Sequence, residues 1–163
     1  MKTTKCLLIL LAGLAVIQTF YYYYLPDIVV SNFGGRGNPN GWMLKSVFFG
    51  FYLIMIALML FIFLIIPKFP KTLTNIPNKN FWLAAQRRAE TMEYVDKTTT
   101  LMGIATMLFI IYTFQLVIQA NLSTEKILSN NFLFALILYF IFLSVWLFKL
   151  LRRFRKITFN YKK

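Results

Sequence analysis

The sequence predicts an all-α membrane protein, with four transmembrane helices, a short structured outer loop and an amphipathic inner-leaflet helix. Three observations point there. Apolar residues make up 59% of the chain, with 18 Phe and 9 Tyr, while charged residues fall to 14%. Soluble domains carry about 25% charge, so too little polar surface remains here to cover a water-soluble globule. Four segments, Cys6–Tyr24, Val47–Ile66, Leu101–Ala120 and Phe132–Leu151, reach the ~20 apolar residues that a hydrocarbon core of about 30 Å demands. Basic residues are also unevenly placed: of 18 Lys and Arg, only Arg36, Lys45 and Lys126 lie on one set of flanks.

No acidic residue enters any of the four segments. In lipid every backbone polar group must be satisfied internally, which favours helices. A β-barrel would need alternating apolar and polar positions, and these runs are apolar all round. The first segment follows Lys2 and Lys5, as in a signal peptide, but ends in Tyr21–Tyr24 with no small-residue cleavage site. It is expected to stay as a helix of a single domain spanning 1–163. The basic asymmetry is the positive-inside pattern and places both termini in the cytoplasm of a bacterial cell, with the chain integral to the cytoplasmic membrane. Topology thus explains the net charge of +13 better than nucleic-acid binding.

Between helices one and two lies a cap, residues 25–46. Pro26 ends the helix, since the residue before proline avoids helical angles. The β-branched Ile28–Val30 favour a strand. "NPNG" at Asn38–Gly41 has type I turn chemistry, and Trp42 returns the chain to the membrane interface, where tryptophan is enriched. The cap is therefore expected to be ordered over Asp27–Trp42, with its turn at Asn38–Gly41.

Residues 78–97 form the predicted inner-leaflet helix. Phe81, Trp82, Ala85, Ala89 and Met92 share one helical face, while Glu93 and Lys97 stand in the favourable i,i+4 order. Pro77 and Asn78 precede it as breaker and possible cap. It should lie along the inner leaflet and then bend into helix three. Arg87 and Arg88 beside Trp82, with Glu90, offer an inner-face surface for an acidic partner or lipid phosphate. At the C-terminus, "KLLRRFRKITFNYKK" supplies basic charge for anionic lipids, each residue contributing about 1 kcal/mol near the surface. Lys149 is expected to snorkel from the last turn of helix four, and Phe154 and Phe159 to rest at headgroup level.

The chemistry available is narrow. The chain has one Cys and no His, so His- or Cys-built zinc, haem or copper sites lack ligands and His-based acid–base catalysis is excluded. No phosphate-cradling motif is present. The five acids, Asp27, Glu90, Glu93, Asp96 and Glu125, lie outside the four spans, which deprives an intramembrane aspartyl enzyme or a proton-coupled transporter of its usual group. No cofactor, no metal and no enzymatic activity are expected. Polar residues do enter the spans at Gln18, Gln115 and Gln119. Gln115 and Gln119 share a face, and Gln18 reaches the same depth. Such amides commonly bond between helices, at about 0.6 kcal/mol per contact; the alternative is a ligand site.

The stretch "LPDIVVSNFGGRGNPNGWMLK" resembles the loop of a bacterial membrane family of unknown function, whose best-known member type is the immunity and signalling protein of the sporulation-delaying toxin system. That loop reads Leu-Pro, a short strand, His-Phe, then a Gly-Pro-Asn-Gly-Trp-like turn. Leu25, Pro26, Phe33, Gly37, Pro39, Asn40, Gly41 and Trp42 match it, and Asn32 stands where the family has histidine. Asparagine keeps hydrogen bonding but no charge switch near neutral pH. "NIPNKNFWLAAQRRAETMEYV" resembles the family's cytoplasmic segment before helix three. The resemblance implies a non-enzymatic immunity, signalling or accessory-subunit role. On this reading Asp27, Asn32, Phe33, Arg36, Asn40 and Trp42, above Gln18, Gln115 and Gln119, contact a membrane-protein partner or a second copy. The competing reading is a small oligomeric transporter or channel subunit, for which a polar track across the membrane would speak.

Overall fold

A computed structural model describes residues 2–65 and 77–155. Helix α1 (Lys2–Ile17) tightens into a 3-10 turn over Gln18–Tyr23. Strands β1 (Ile28–Phe33) and β2 (Pro39–Leu44) form an antiparallel hairpin. Helices α2 (Lys45–Leu64), α3 (Lys79–Trp82), α4 (Ala85–Leu122) and α5 (Asn131–Arg155) follow. Four helices, all but the short α3, are long and apolar enough to cross a membrane, at the places hydropathy predicts. The expected end of the second span at Ile66, and the tail beyond Arg155 with Phe159, lie outside the described residues.

The core joins three helices. Leu8, Leu11 and Ala15 of α1 meet Phe49, Tyr52 and Ile56 of α2 and Met107, Ile111, Phe114 and Ile118 of α4. Tyr52 stacks on Phe114 at 3.5 Å between ring centroids and 2° between planes. Gly103 of α4 lets Phe63 of α2 approach so closely that a Cβ there would lie 2.6 Å from its ring, a small residue admitting close packing as membrane interfaces favour. Helix α5 is peripheral. It lies along α4, with Tyr139 stacked on Phe109 at 4.4 Å and hydrogen-bonded to Thr106 at 2.9 Å.

Two features of the backbone differ from expectation. The segment 78–97 is not a separate helix bending into helix three; α4 is one helix of 38 residues from Ala85, about 57 Å at 1.5 Å per residue. Nothing at residues 97–101 stops it: there is no Gly or Pro, and the Thr100 hydroxyl is satisfied within the helix by the Asp96 carbonyl at 2.7 Å, so it does not compete for a non-helical turn. The break falls earlier, at Ala84, which is extended at φ −56° and ψ 145°. Phe81 and Trp82 therefore sit on α3, while Ala85 and Ala89 are exposed and do not continue their face. Asn78 occupies the N-cap position of α3 in the left-handed region, at φ 57°. Its side chain does not cap that helix; it donates to the Phe154 carbonyl of α5 at 3.1 Å.

The second difference is the hairpin turn. Chain reversal occurs at Gly34–Gly37, not at Asn38–Gly41: Gly37 N donates to Gly34 O, and Gly34 N to Asn38 O, both at 2.8 Å. Pro39 opens β2, where a strand tolerates a residue without N–H. A distant contact selects this turn. Gly37 has φ +77°, and a Cβ on it would come within 2.5 Å of the Leu128 carbonyl oxygen, while Leu128 N donates to Gly37 O at 2.9 Å. Lys149, expected in the last turn, is exposed inside α5, because that helix runs on to Arg155.

Candidate functional site

Between apolar helices in lipid the hydrophobic effect supplies no association force, so packing and hydrogen bonds decide the arrangement. The polar groups are concentrated at the two ends of the bundle. At the hairpin end, Gln18 Nε2 donates to Gln115 Oε1 at 2.9 Å and to the Ile111 carbonyl at 3.1 Å, and Tyr52 Oη donates to Gln18 Oε1 at 2.6 Å. One buried amide thereby joins α1, α2 and α4. Gln18 and Gln115 meet as their depth suggests. Gln119 does not join them: it is exposed, and its side chain makes no hydrogen bond among the described residues.

The hairpin is fastened directly to the end of α4. Asn121, buried, presents its amide edge to Val30 like a neighbouring strand. Val30 N donates to Asn121 Oδ1 at 2.7 Å, and Asn121 Nδ2 donates to Val30 O at 2.9 Å. Val30 is wholly buried, so its outward-pointing backbone groups would otherwise lack partners. At the start of α2, Lys45 bonds Asp27 at 3.1 Å and the Leu25 carbonyl at 3.1 Å, and its ammonium lies 4.9 Å from the centre of the Tyr22 ring. The turn docks on Leu128 as described. Three independent ties therefore hold the cap.

What the cap leaves outward is different in kind. Asn32, Arg36, Asn40 and Trp42 are exposed and make no hydrogen bond through their side chains among the described residues, and the Asp27 carboxylate is open to solvent beyond its bond to Lys45. Trp42 is 59% exposed, and Ile28 and Leu44, each 57% exposed, lie on the same face of the hairpin. Phe33 is half-buried beside Leu116, Ala120 and Leu128.

At the opposite end the side chains are mostly spent on one another. Lys5 Nζ lies 2.8 and 2.7 Å from the two carboxylate oxygens of Asp96, tying α1 to α4. Trp82 Nε1 donates to the Phe154 carbonyl at 3.1 Å, and Glu90 pairs with Arg153 at 3.0 Å. Arg153 also lies 3.9 Å from the Tyr94 ring centre, and Arg87 4.1 Å from that of Phe81. Of the four inner-face residues predicted, Arg88 alone is exposed without such a contact. Phe154, expected at headgroup level, is buried against Trp82 and Tyr94.

Tyr52, Asn121 and the Lys5–Asp96 pair were not predicted. Between the two polar ends the α1–α4 interface is apolar, built from Leu8, Leu11, Ala15, Ile104 and Met107. A groove of about 660 Å³ between α4 and α5, lined by Leu108, Phe109, Phe134, Leu138 and Tyr139 among others, is likewise mostly apolar. Among the described residues no group of three or more His, Cys, Asp or Glu converges.

No curated protein and no solved structure matches this chain. Residues 7–56, which span α1 from Leu7 onward, the whole hairpin and the first part of α2, match DUF1648, a domain of unknown function.

Proposed function

We propose that this is a non-enzymatic integral membrane protein whose cap faces outward and recognises a partner, in an immunity, signalling or accessory-subunit role. The observation that carries the reading is the contrast within the cap. Its backbone is tied to α4, to α2 and to the loop before α5, while Asn32, Arg36, Asn40 and Trp42 stand exposed and unbonded. A surface already held in place loses little conformational freedom on binding, and Trp and Arg are the side chains enriched where binding energy concentrates. The resemblance of the loop to that of the immunity proteins supports the same assignment.

The partner is a membrane protein or a second copy, with both termini cytoplasmic and the basic tail on anionic lipid. A transporter or channel is the weaker reading, because an apolar layer separates the polar clusters of the described bundle. The test compares Asn32→Ala and Trp42→Ala with Arg87→Ala for protein abundance and for co-purification of a stoichiometric partner in mild detergent. Loss of the partner from the first two at normal abundance supports the proposal. Loss from Arg87→Ala alone moves recognition to the cytoplasmic side and refutes it.

A further inference from the structure

Where the hairpin turn meets the start of α5 there is a cavity of about 180 Å³, lined by Phe33, Leu128, Phe132 and Leu133 and by the backbone of Gly34, Gly35 and Gly37. Its size limits the occupant, since sites that enclose a drug-sized molecule run to about 300–1,000 Å³. Its chemistry limits it further. No charged side chain lines it, and the adjoining Asn131 N–H is already satisfied by Ser129 Oγ at 3.2 Å. Apolar rings and leucines dominate, with Ser129 and Asn130, both exposed, among the residues around it.

The glycines sharpen the point. Gly37 is required by the fold, through its positive φ and the Leu128 carbonyl against it. Gly34 and Gly35 are not: neither has a positive φ, a Cβ on Gly35 would meet nothing within 4 Å, and one on Gly34 would make only an ordinary 3.8 Å contact. A glycine that the fold does not need, in the lining of a cavity, leaves bare backbone for a ligand to approach.

We propose that this cavity is an anchor pocket for a single apolar side chain, of the phenylalanine or leucine class, carried by a peptide segment of the partner. The inference rests on the outward-facing cap and names what that cap would grip. The pocket holds one residue, the bare backbone of Gly34 and Gly35 lies against it, and Ser129 and Asn130 meet the peptide that carries it. Binding energy concentrates on a few side chains seated in desolvated pockets, and an aromatic or aliphatic anchor in a pocket is one such arrangement.

The test uses the full chain in lipid nanodiscs with ¹³C-methyl leucine, titrated with N-acetyl-phenylalaninamide, N-acetyl-leucinamide and, as controls, the glycine and lysine analogues. The phenylalanine and leucine probes should shift the Leu128 and Leu133 methyls saturably, and the controls should not. Gly34→Val and Gly35→Val, which add bulk to the lining backbone, and Phe132→Ala, which removes a lining ring, should each weaken binding by about tenfold or more. Equal shifts at Leu138 in the α4–α5 groove would mean simple partition into lipid and would overturn the proposal. So would the absence of saturation, or binding indifferent to all three variants. Probe binding needs no partner: if the pocket fails while Asn32→Ala still loses the partner, the anchor alone is wrong.

Discussion

Replacing Asn121 by alanine should release the hairpin from the bundle without disturbing the four spans. The amide makes two short bonds to Val30, at 2.7 and 2.9 Å, and Val30 has no solvent exposure. Removing it strands one N–H and one C=O. At about 1–3 kcal/mol for each buried unsatisfied group, the loss is roughly 2–6 kcal/mol if the hairpin stays put. Side-chain contacts measured inside membrane bundles average about 0.6 kcal/mol, which sets a floor near 1 kcal/mol for the two. The hairpin can escape the larger penalty by lifting into water, so local opening is the expected outcome. The assay is amide hydrogen exchange in nanodiscs. Val29, Val30 and Met43 should exchange at least about fivefold faster in Asn121→Ala, the equivalent of 1 kcal/mol, while amides around Met107 and Ile111 stay protected. Asn121→Asp separates the two bonds: a carboxylate still accepts from Val30 N but sets oxygen against Val30 O, so it should be no better than alanine. Unchanged exchange at Val30 in both variants would refute the claim that Asn121 completes the edge of β1.

Three further outcomes follow from the same geometry. Reporters fused at Asn38 and at the C-terminus should report opposite sides of the membrane, and the same side from both would overturn the four-span topology. Lys5→Glu should destabilise the bundle in a detergent-unfolding titration, by less than the ~3–5 kcal/mol that breaking a fully buried ion pair costs, since both partners are partly exposed; the exchange Lys5→Asp with Asp96→Lys should recover much of it, and equal damage in the double variant would show that the pair is incidental. Gln18→Leu, which strands Tyr52 Oη and Gln115, should cost about 0.6–1.7 kcal/mol for each hydrogen bond it removes, whereas Gln119→Leu should stay within about 0.5 kcal/mol of the parent; similar effects of the two in the same titration would contradict the assigned cluster.

The four spans were legible because each is a long apolar run, a signal that survives without knowledge of neighbours. The hairpin was half legible. Ile28–Val30 declared a strand by their branching, but both "GGRG" and "NPNG" can turn, and the choice between them is made by Leu128, distant in sequence, packed on Gly37. Gln115 and Gln119 looked equivalent at four residues apart. Each such step turns a helix about 40° further, and from the buried Ile111 that rotation carries Gln119 about 80° away, out of the interface. Asn121 gave no warning, since a lone amide at a helix end reads as an ordinary cap or solvent contact. Lys5 was masked by its usefulness as a topological charge, and its partner Asp96 by standing just short of a span. The bend before helix three was misplaced because amphipathic spacing does not say whether a helix stops. The backbone at Ala84 does.

The central claim is that recognition takes place on the hairpin's exposed face. A photo-crosslinking amino acid placed at position 42, and in a separate chain at position 87, tests it in living cells. The account predicts a discrete adduct with one membrane-associated partner, or with a second copy, from position 42, lost when Asn32 is also replaced by alanine, and none from position 87. An adduct from position 87 alone, or one from position 42 with lipid only, would contradict it.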